Sequence, residues 1–151
     1  MDATELARRL LYPIPAHQTL GLEVLRAADG AAEVAAETPP ALTNVIGSLH
    51  SSGLITLVDA AGLAAIIAAC EEPGGFDGVV PLGAAARLQF HAPARGRLVA
   101  SCTLSDDART AVAAVCTGAA NRARTTTEAE VSDAEGVVVC RGTFDWSIRR
   151  R

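Results

Sequence analysis

An amide, an imidazole and a carboxylate fall within the seventeen residues TNVIGSLHSSGLITLVD (Thr43–Asp59): Asn44, then His50 six residues on, then Asp59 nine further. Such groups can orient water, polarise a carbonyl and take up a proton. Asp59 is the one charge in the run Ser51–Cys70. A buried carboxylate without a partner is costly, so its place there needs a reason. Two readings stand. In one, Asp59 caps a backbone group or pairs with an arginine at a subunit interface; in the other it faces a substrate. Ser52, Thr56, Gly62 and Leu63 lie three, four or seven residues away, on its helical face. Gly62 costs helix stability and leaves room beside the carboxylate. His50 stands where a helix would begin, as a reacting group or as a hydrogen-bonded loop histidine. The amides of Ser51, Ser52 and Gly53 are then donors without intrahelical partners, suited to hold a developing oxyanion. Asn44 reads either as the polar loop residue within reach or as an ordinary turn asparagine.

The elements that must position these groups follow from periodicity. Thr4–Leu11 is an amphipathic helix, with Leu6, Leu10 and Leu11 on one face, ended by Pro13 and Pro15. Gly21–Ala27 and Ala31–Glu37 form a hairpin across Asp29-Gly30. Pro39-Pro40 opens a loop to Leu49, and Ser51–Cys70 is a long helix, apolar on nearly every side. Its length fits a membrane span, but a mid-bilayer Asp59 argues instead for a buried core helix. Strands are expected at Gly83–His91 and Arg97–Leu104 around a turn at Pro93–Gly96. A second helix, capped by Ser105 and closed by Gly118, comes next. Arg124–Ser132 and Val137–Ile148 make a closing hairpin around Asp133–Gly136, and Arg149–Arg151 is a solvated end. The class is α+β, a sheet around one central helix, in a single domain spanning 1–151.

The whole-chain balance excludes several functions. The chain has 151 residues, 50% of them hydrophobic, and a formal net charge of -4. That suits one packed domain and excludes disorder. An acidic surface and 3% aromatics exclude a nucleic-acid partner. Every one of the 13 basic residues is arginine, so no lysine is present for Schiff-base chemistry. His17, His50 and His91 are scattered, and Cys70, Cys102, Cys116 and Cys140 show no CxxC, so no metal site is expected. The four cysteines read as reduced, mostly buried thiols of a cytoplasmic protein with no secretory leader and no membrane association.

Asn44, Gly47, His50 and Asp59 together resemble the motif N-x-x-G-x-x-H-G-G-x-x-x-x-L-x-D/E of hot-dog-fold acyl-CoA thioesterases of the phenylacetate-degradation type. LQFHAPARGRLVAS (Leu88–Ser101) is similar to that family's strand–Pro-x-x-Gly–strand segment. The helix after Ser105 and the DAEGVVVCRGTF hairpin resemble a related hot-dog branch, the acyltransferase-appended domains of largely unassigned activity. The resemblance covers nearly the whole chain.

It implies a five- or six-stranded antiparallel sheet wrapped around the long helix, assembled as a homodimer or homotetramer. The sites would lie between protomers, with Asn44 and His50 of one chain facing Asp59 of another. Asp59 would be the nucleophile or the base for water. Asn44 would position it, and His50 with the Ser51 amide would polarise the thioester carbonyl. Gly47, Ser52 and Gly83 would border the substrate, and Arg87 and Arg95 would meet the phosphates of coenzyme A. No cofactor is implied beyond the coenzyme A of an acyl-CoA substrate; an acyl-carrier-protein substrate is the other carrier. Ser51 and Ser52 replace the family's glycines, and Gly83 stands near its strand Ser or Thr. These departures keep open a non-catalytic acyl-CoA-binding or regulatory domain. Hydratases of this fold pair Asp with His five residues on, where this chain has Ala64.

Overall fold

The computed structural model describes the whole chain, Met1–Arg151. Helix α1 (Ala3–Leu11) opens on a reciprocal cap between Asp2 and Glu5. Helix α2 (Pro15–Leu20) was not expected. Pro15 starts it, because proline at the first helical position gives up an amide that has no intrahelical partner anyway. Strands β1 (Glu23–Ala28) and β2 (Ala31–Glu37) form the expected hairpin, with Asp29 and Gly30 both at positive φ. A single 3-10 turn at Pro40–Leu42 leads to the bridge between Thr43 and Leu49. Helix α3 (Ser51–Ala68) follows, then β3 (Val79–Phe90), β4 (Arg97–Thr103), α4 (Asp106–Thr117), β5 (Arg122–Ser132) and β6 (Val138–Arg150). Helix α4 carries the expected Ser105 cap and Gly118 terminus.

The six strands form one antiparallel sheet in the order β1-β2-β4-β5-β6-β3. Its concave face wraps α3, whose Leu57, Val58, Ala61, Ala64, Ala65 and Ile66 are fully buried. The helix is long and apolar enough to cross a membrane, and 67% of it is buried inside the fold. Close approach decides the small residues: a Cβ on Gly142 of β6 would meet Val58 at 2.9 Å, and one on Gly53 would meet Leu49 at 2.6 Å. What the sheet leaves open on α3 is the stripe Ser52, Ile55, Thr56, Asp59 and Leu63. Strand β3 closes one edge of the sheet and is exposed over most of its length, with Leu82 at 58% and Phe90 at 56%.

Two expectations about the ends and the thiols are overturned. Cys70 and Cys116 are joined as a disulfide, with Cα atoms 5.6 Å apart, because the C-terminal ends of α3 and α4 lie side by side. Cys102 and Cys140 are free and buried, and burial pushes both thiols up to about 11. Nor is the basic end wholly solvated. Arg150 donates to the carbonyls of Val115 (2.9 Å), Gly75 (3.2 Å), Asp77 (3.3 Å) and Cys116. The guanidinium thereby satisfies carbonyls at the negative end of α4. Arg149 and Arg151 are exposed.

Candidate active site

His50 is the N-cap of α3. Its Nδ1 accepts from the Ser52 amide at 3.1 Å and lies 2.9 Å from the Ser52 hydroxyl. With Nδ1 accepting, the proton of the neutral ring sits on Nε2, which faces no partner within the chain and is free to donate. The capping spends two of the three amides expected to be open. Ser52 N–H serves the ring and Gly53 N–H serves the His50 carbonyl at 2.9 Å, so only the Ser51 amide remains. That is a correction: the helix start offers one backbone donor beside the imidazole, not three.

Asn44 is committed to its own turn. Its Oδ1 accepts from the amides of Ile46 and Ser48, each at 3.0 Å, and its backbone amide donates to the Ser48 carbonyl at 2.8 Å. Only its Nδ2 makes no hydrogen bond within the chain, and the residue is exposed. Gly47 supplies the left-handed residue this turn requires, at φ +73°. Ser48, unmarked in the sequence reading, is buried and accepts from the Ala94 amide at 2.8 Å. Arg95 donates to the Ile46 carbonyl at 2.9 Å, clamping the same loop from the β3–β4 turn. The result is a groove of about 550 Å³ at the N-terminus of α3. It is lined by Asn44, Ile46, His50 and Ser51 on one side and by Phe90 and His91 on the other. A larger hollow of about 820 Å³ lies at the opposite end of α3, near Ile67 and Cys70, and touches none of the candidate residues.

Asp59 is outside both. Nine residues along a helix amount to about 13 Å of rise and roughly half a turn of rotation from His50. One chain therefore does not bring Asn44 and His50 together with Asp59. The carboxylate enters no ion pair, and no side-chain oxygen or nitrogen without a partner is sealed from solvent, so its oxygens keep contact with water. Within the chain the capping and arginine-pairing explanations of Asp59 are not met. Burial raises its pKa above the usual carboxylate value, opposed by the positive charge of His17.

The room expected beside Gly62 is not open. A Cβ there would lie 2.6 Å from Thr127 Oγ1 and 3.3 Å from the Trp146 ring. Trp146 Nε1 donates to that hydroxyl at 2.7 Å, so glycine admits a buried strand pair rather than a substrate. Gly83 pairs with Trp146 at a bulge in β3, and Arg87 is exposed on the same strand opposite Thr143. Neither approaches the groove lined by His50. His17, Ser48, Thr127 and Trp146 were missed as members of this neighbourhood. Ser48, Thr127 and Trp146 each act through a partner far away in sequence, with no local pattern to mark it.

A six-stranded antiparallel sheet wrapped around one long helix is the hot-dog fold of the thioesterase superfamily. A protein of unknown function from Pseudomonas aeruginosa, described as a probable thioesterase, superposes with a TM-score of 0.78 at 24% identity. That match covers 98% of this chain and 96% of the other. A protein of the thioesterase superfamily reaches 0.76 at 25% identity over 97% and 98%. A thioesterase family protein from Silicibacter pomeroyi reaches 0.76 at 18% over 99% of each chain. The chain itself belongs to the DUF4442 family, a domain of unknown function, whose model matches residues 5–148. No curated protein matches it.

Proposed function

We propose that this protein is a thioester hydrolase, acting on an acyl-CoA or an acyl-carrier protein as a homodimer or homotetramer. The observation that carries the reading is Asp59: a carboxylate on an otherwise apolar core helix, left without partner in its own chain and with its proton affinity raised. A raised pKa makes a carboxylate a better base near neutrality. In the reaction, Asp59 takes a proton from water as the water oxygen bonds to the thioester carbonyl carbon. His50 Nε2–H and the Ser51 amide of the facing protomer stabilise the oxyanion. The C–S bond then breaks and the leaving thiolate recovers the proton from Asp59. The thiolate leaves easily, so one base and one oxyanion site suffice without a serine nucleophile. Asn44 Nδ2 orients the water, and exposed Arg87 meets the phosphates of coenzyme A.

The exposed edge of β3 supports pairing with a second copy, since long unpaired edges invite strand addition. The half-turn between His50 and Asp59 supports a site shared between copies. Free-thiol release from short-, long- and aryl-acyl-CoA, with light scattering for mass, tests both parts. Turnover by a dimer or tetramer is expected. A monomer that hydrolyses none of the panel overturns the reading. One observation favours the second reading, a non-catalytic acyl-CoA-binding domain: Asn44 Oδ1 and His50 Nδ1 are both occupied in holding the loop and capping the helix. Saturable acyl-CoA binding without turnover would select it.

A further inference from the structure

The convex face of the sheet is bare. From Arg122 to Glu130 on β5 and from Arg141 to Arg149 on β6, every outward residue is exposed or half-buried, so no helix covers this face. At the end of the face where β6 finishes, Arg122 of β5 stands directly opposite Arg149 of β6, with Val80 of β3 on the other side. One row along, the same strands present Arg124, Ser147 and Leu82. Like charges directly opposite on a ladder weaken it, so this register needs a reason. None of the three guanidiniums enters an ion pair, whereas Arg141 at the far end of the face is held by Glu130 at 3.1 Å. Val80 is half-buried, and Leu82 is 58% exposed. The two rows lie about 7 Å apart on strands about 4.8 Å apart. They form a small tile, cationic toward β5 and aliphatic toward β3.

We propose that this tile docks a partner protein through an amphipathic helix, acidic along one side and apolar along the other. Carboxylates one turn apart on a helix stand about 5–6 Å from each other, close to the separation of arginines facing each other across a ladder. Each guanidinium fork takes a carboxylate bidentately, and the apolar side of the helix covers Leu82 and Val80. The acids around the tile limit what else fits. Asp145, one row further, accepts from the Thr126 hydroxyl at 2.7 Å, and Glu128 and Glu130 follow on β5. A nucleic-acid backbone or an anionic bilayer would spread negative charge over the whole face, where these carboxylates oppose it. A helix laid on one end of the face avoids them. The tile is small, so the contact is of the weak, transient kind and fades with added salt. Pairing of the β3 edge with a second copy uses backbone groups and leaves the outward side chains free. The surface is independent of whether Asp59 is the reacting carboxylate.

The probe is a synthetic helical peptide with glutamates along one side and leucines along the other, titrated into the full chain labelled with nitrogen-15. The controls are the same peptide with lysine for glutamate, the same peptide with serine for leucine, and vesicles of phosphatidylserine in phosphatidylcholine. The acidic amphipathic peptide should bind saturably, with amide shifts gathered at Val80, Leu82, Arg122, Arg124 and Arg149. Arg122→Glu and Arg149→Glu should each weaken it by about tenfold or more, and Leu82→Ser by about threefold. The lysine peptide should not bind, and the serine peptide should bind more weakly. Arg149→Gln separates docking from a role in the fold. It relieves two opposed cations, so it should melt no lower than the native protein while losing peptide affinity. A lower Tm in that variant would assign the arginines to the fold and overturn the proposal. Absent shifts, shifts centred elsewhere, equal binding by the serine peptide or a preference for the vesicles would overturn it as well.

Discussion

The Cys70–Cys116 bond closes a loop across a sequence separation of 46, and its removal has a calculable cost. In the chain-entropy picture, a cross-link lowers the entropy of the unfolded chain by about 2.1 + 1.5R ln n, close to 13 cal/mol/K here. At room temperature that is about 4 kcal/mol of stability, acting on the unfolded state rather than on contacts in the fold. At about 2.1 cal/mol/K of unfolding entropy per residue, it corresponds to about 12 °C in Tm for a chain of this length. The perturbation is Cys70→Ala with Cys116→Ala, compared with native protein under oxidising and reducing conditions. Calorimetry should show the variant and the reduced protein melting together, well below the oxidised protein. Alkylation of the denatured, unreduced protein should label two cysteines, Cys102 and Cys140. Four labelled thiols, or a variant that melts with the oxidised protein, would refute the reasoning.

Gly62→Ala gains helix propensity of about 1 kcal/mol but drives a methyl into Thr127 Oγ1, an overpacking of about 1–3 kcal/mol. Net destabilisation of about 1 kcal/mol is expected in urea melts, with altered Trp146 fluorescence as its bond to Thr127 is strained. Asp59→Asn should change how stability depends on pH. The carboxyl binds its proton more tightly folded than unfolded. Native stability therefore falls as pH rises from the ordinary carboxylate range through the raised folded value. The amide variant should lack that fall and be the more stable protein at neutral pH in urea melts. Arg150→Met leaves the carbonyls at the end of α4 without their donor and should cost about 1–3 kcal/mol, read as a lower Tm.

What could be read from the residues was local. Asp29-Gly30 announced its hairpin because two adjacent positive-φ residues need that pair of types. Ser105 and Gly118 bounded α4, and the apolar run from Ser51 fixed α3 to within two residues of its end. The non-local arrangement was not readable. Nothing in β2 marks β4 as its neighbour, and nothing in β3 marks its place beyond β6. The disulfide and the Arg150 clamp depend on that packing, since each joins the end of α4 to a distant segment. At the site, the motif spacing identified Asn44, Gly47 and His50 as one loop. It did not reveal that Asn44 and His50 are partly spent in building it. Gly62 misled for the same reason: a missing side chain looks like space until the strand that fills it is known.

In the proposed reaction the Asp59 carboxylate takes the proton from the attacking water. Its most direct test is the rate of thiol release from the best acyl-CoA substrate by native protein and by Asp59→Asn, both confirmed to have the same mass in solution. Loss of a general base should lower kcat by about a hundredfold to ten-thousandfold with the assembly intact. Asp59→Asn turning over at the native rate would contradict it.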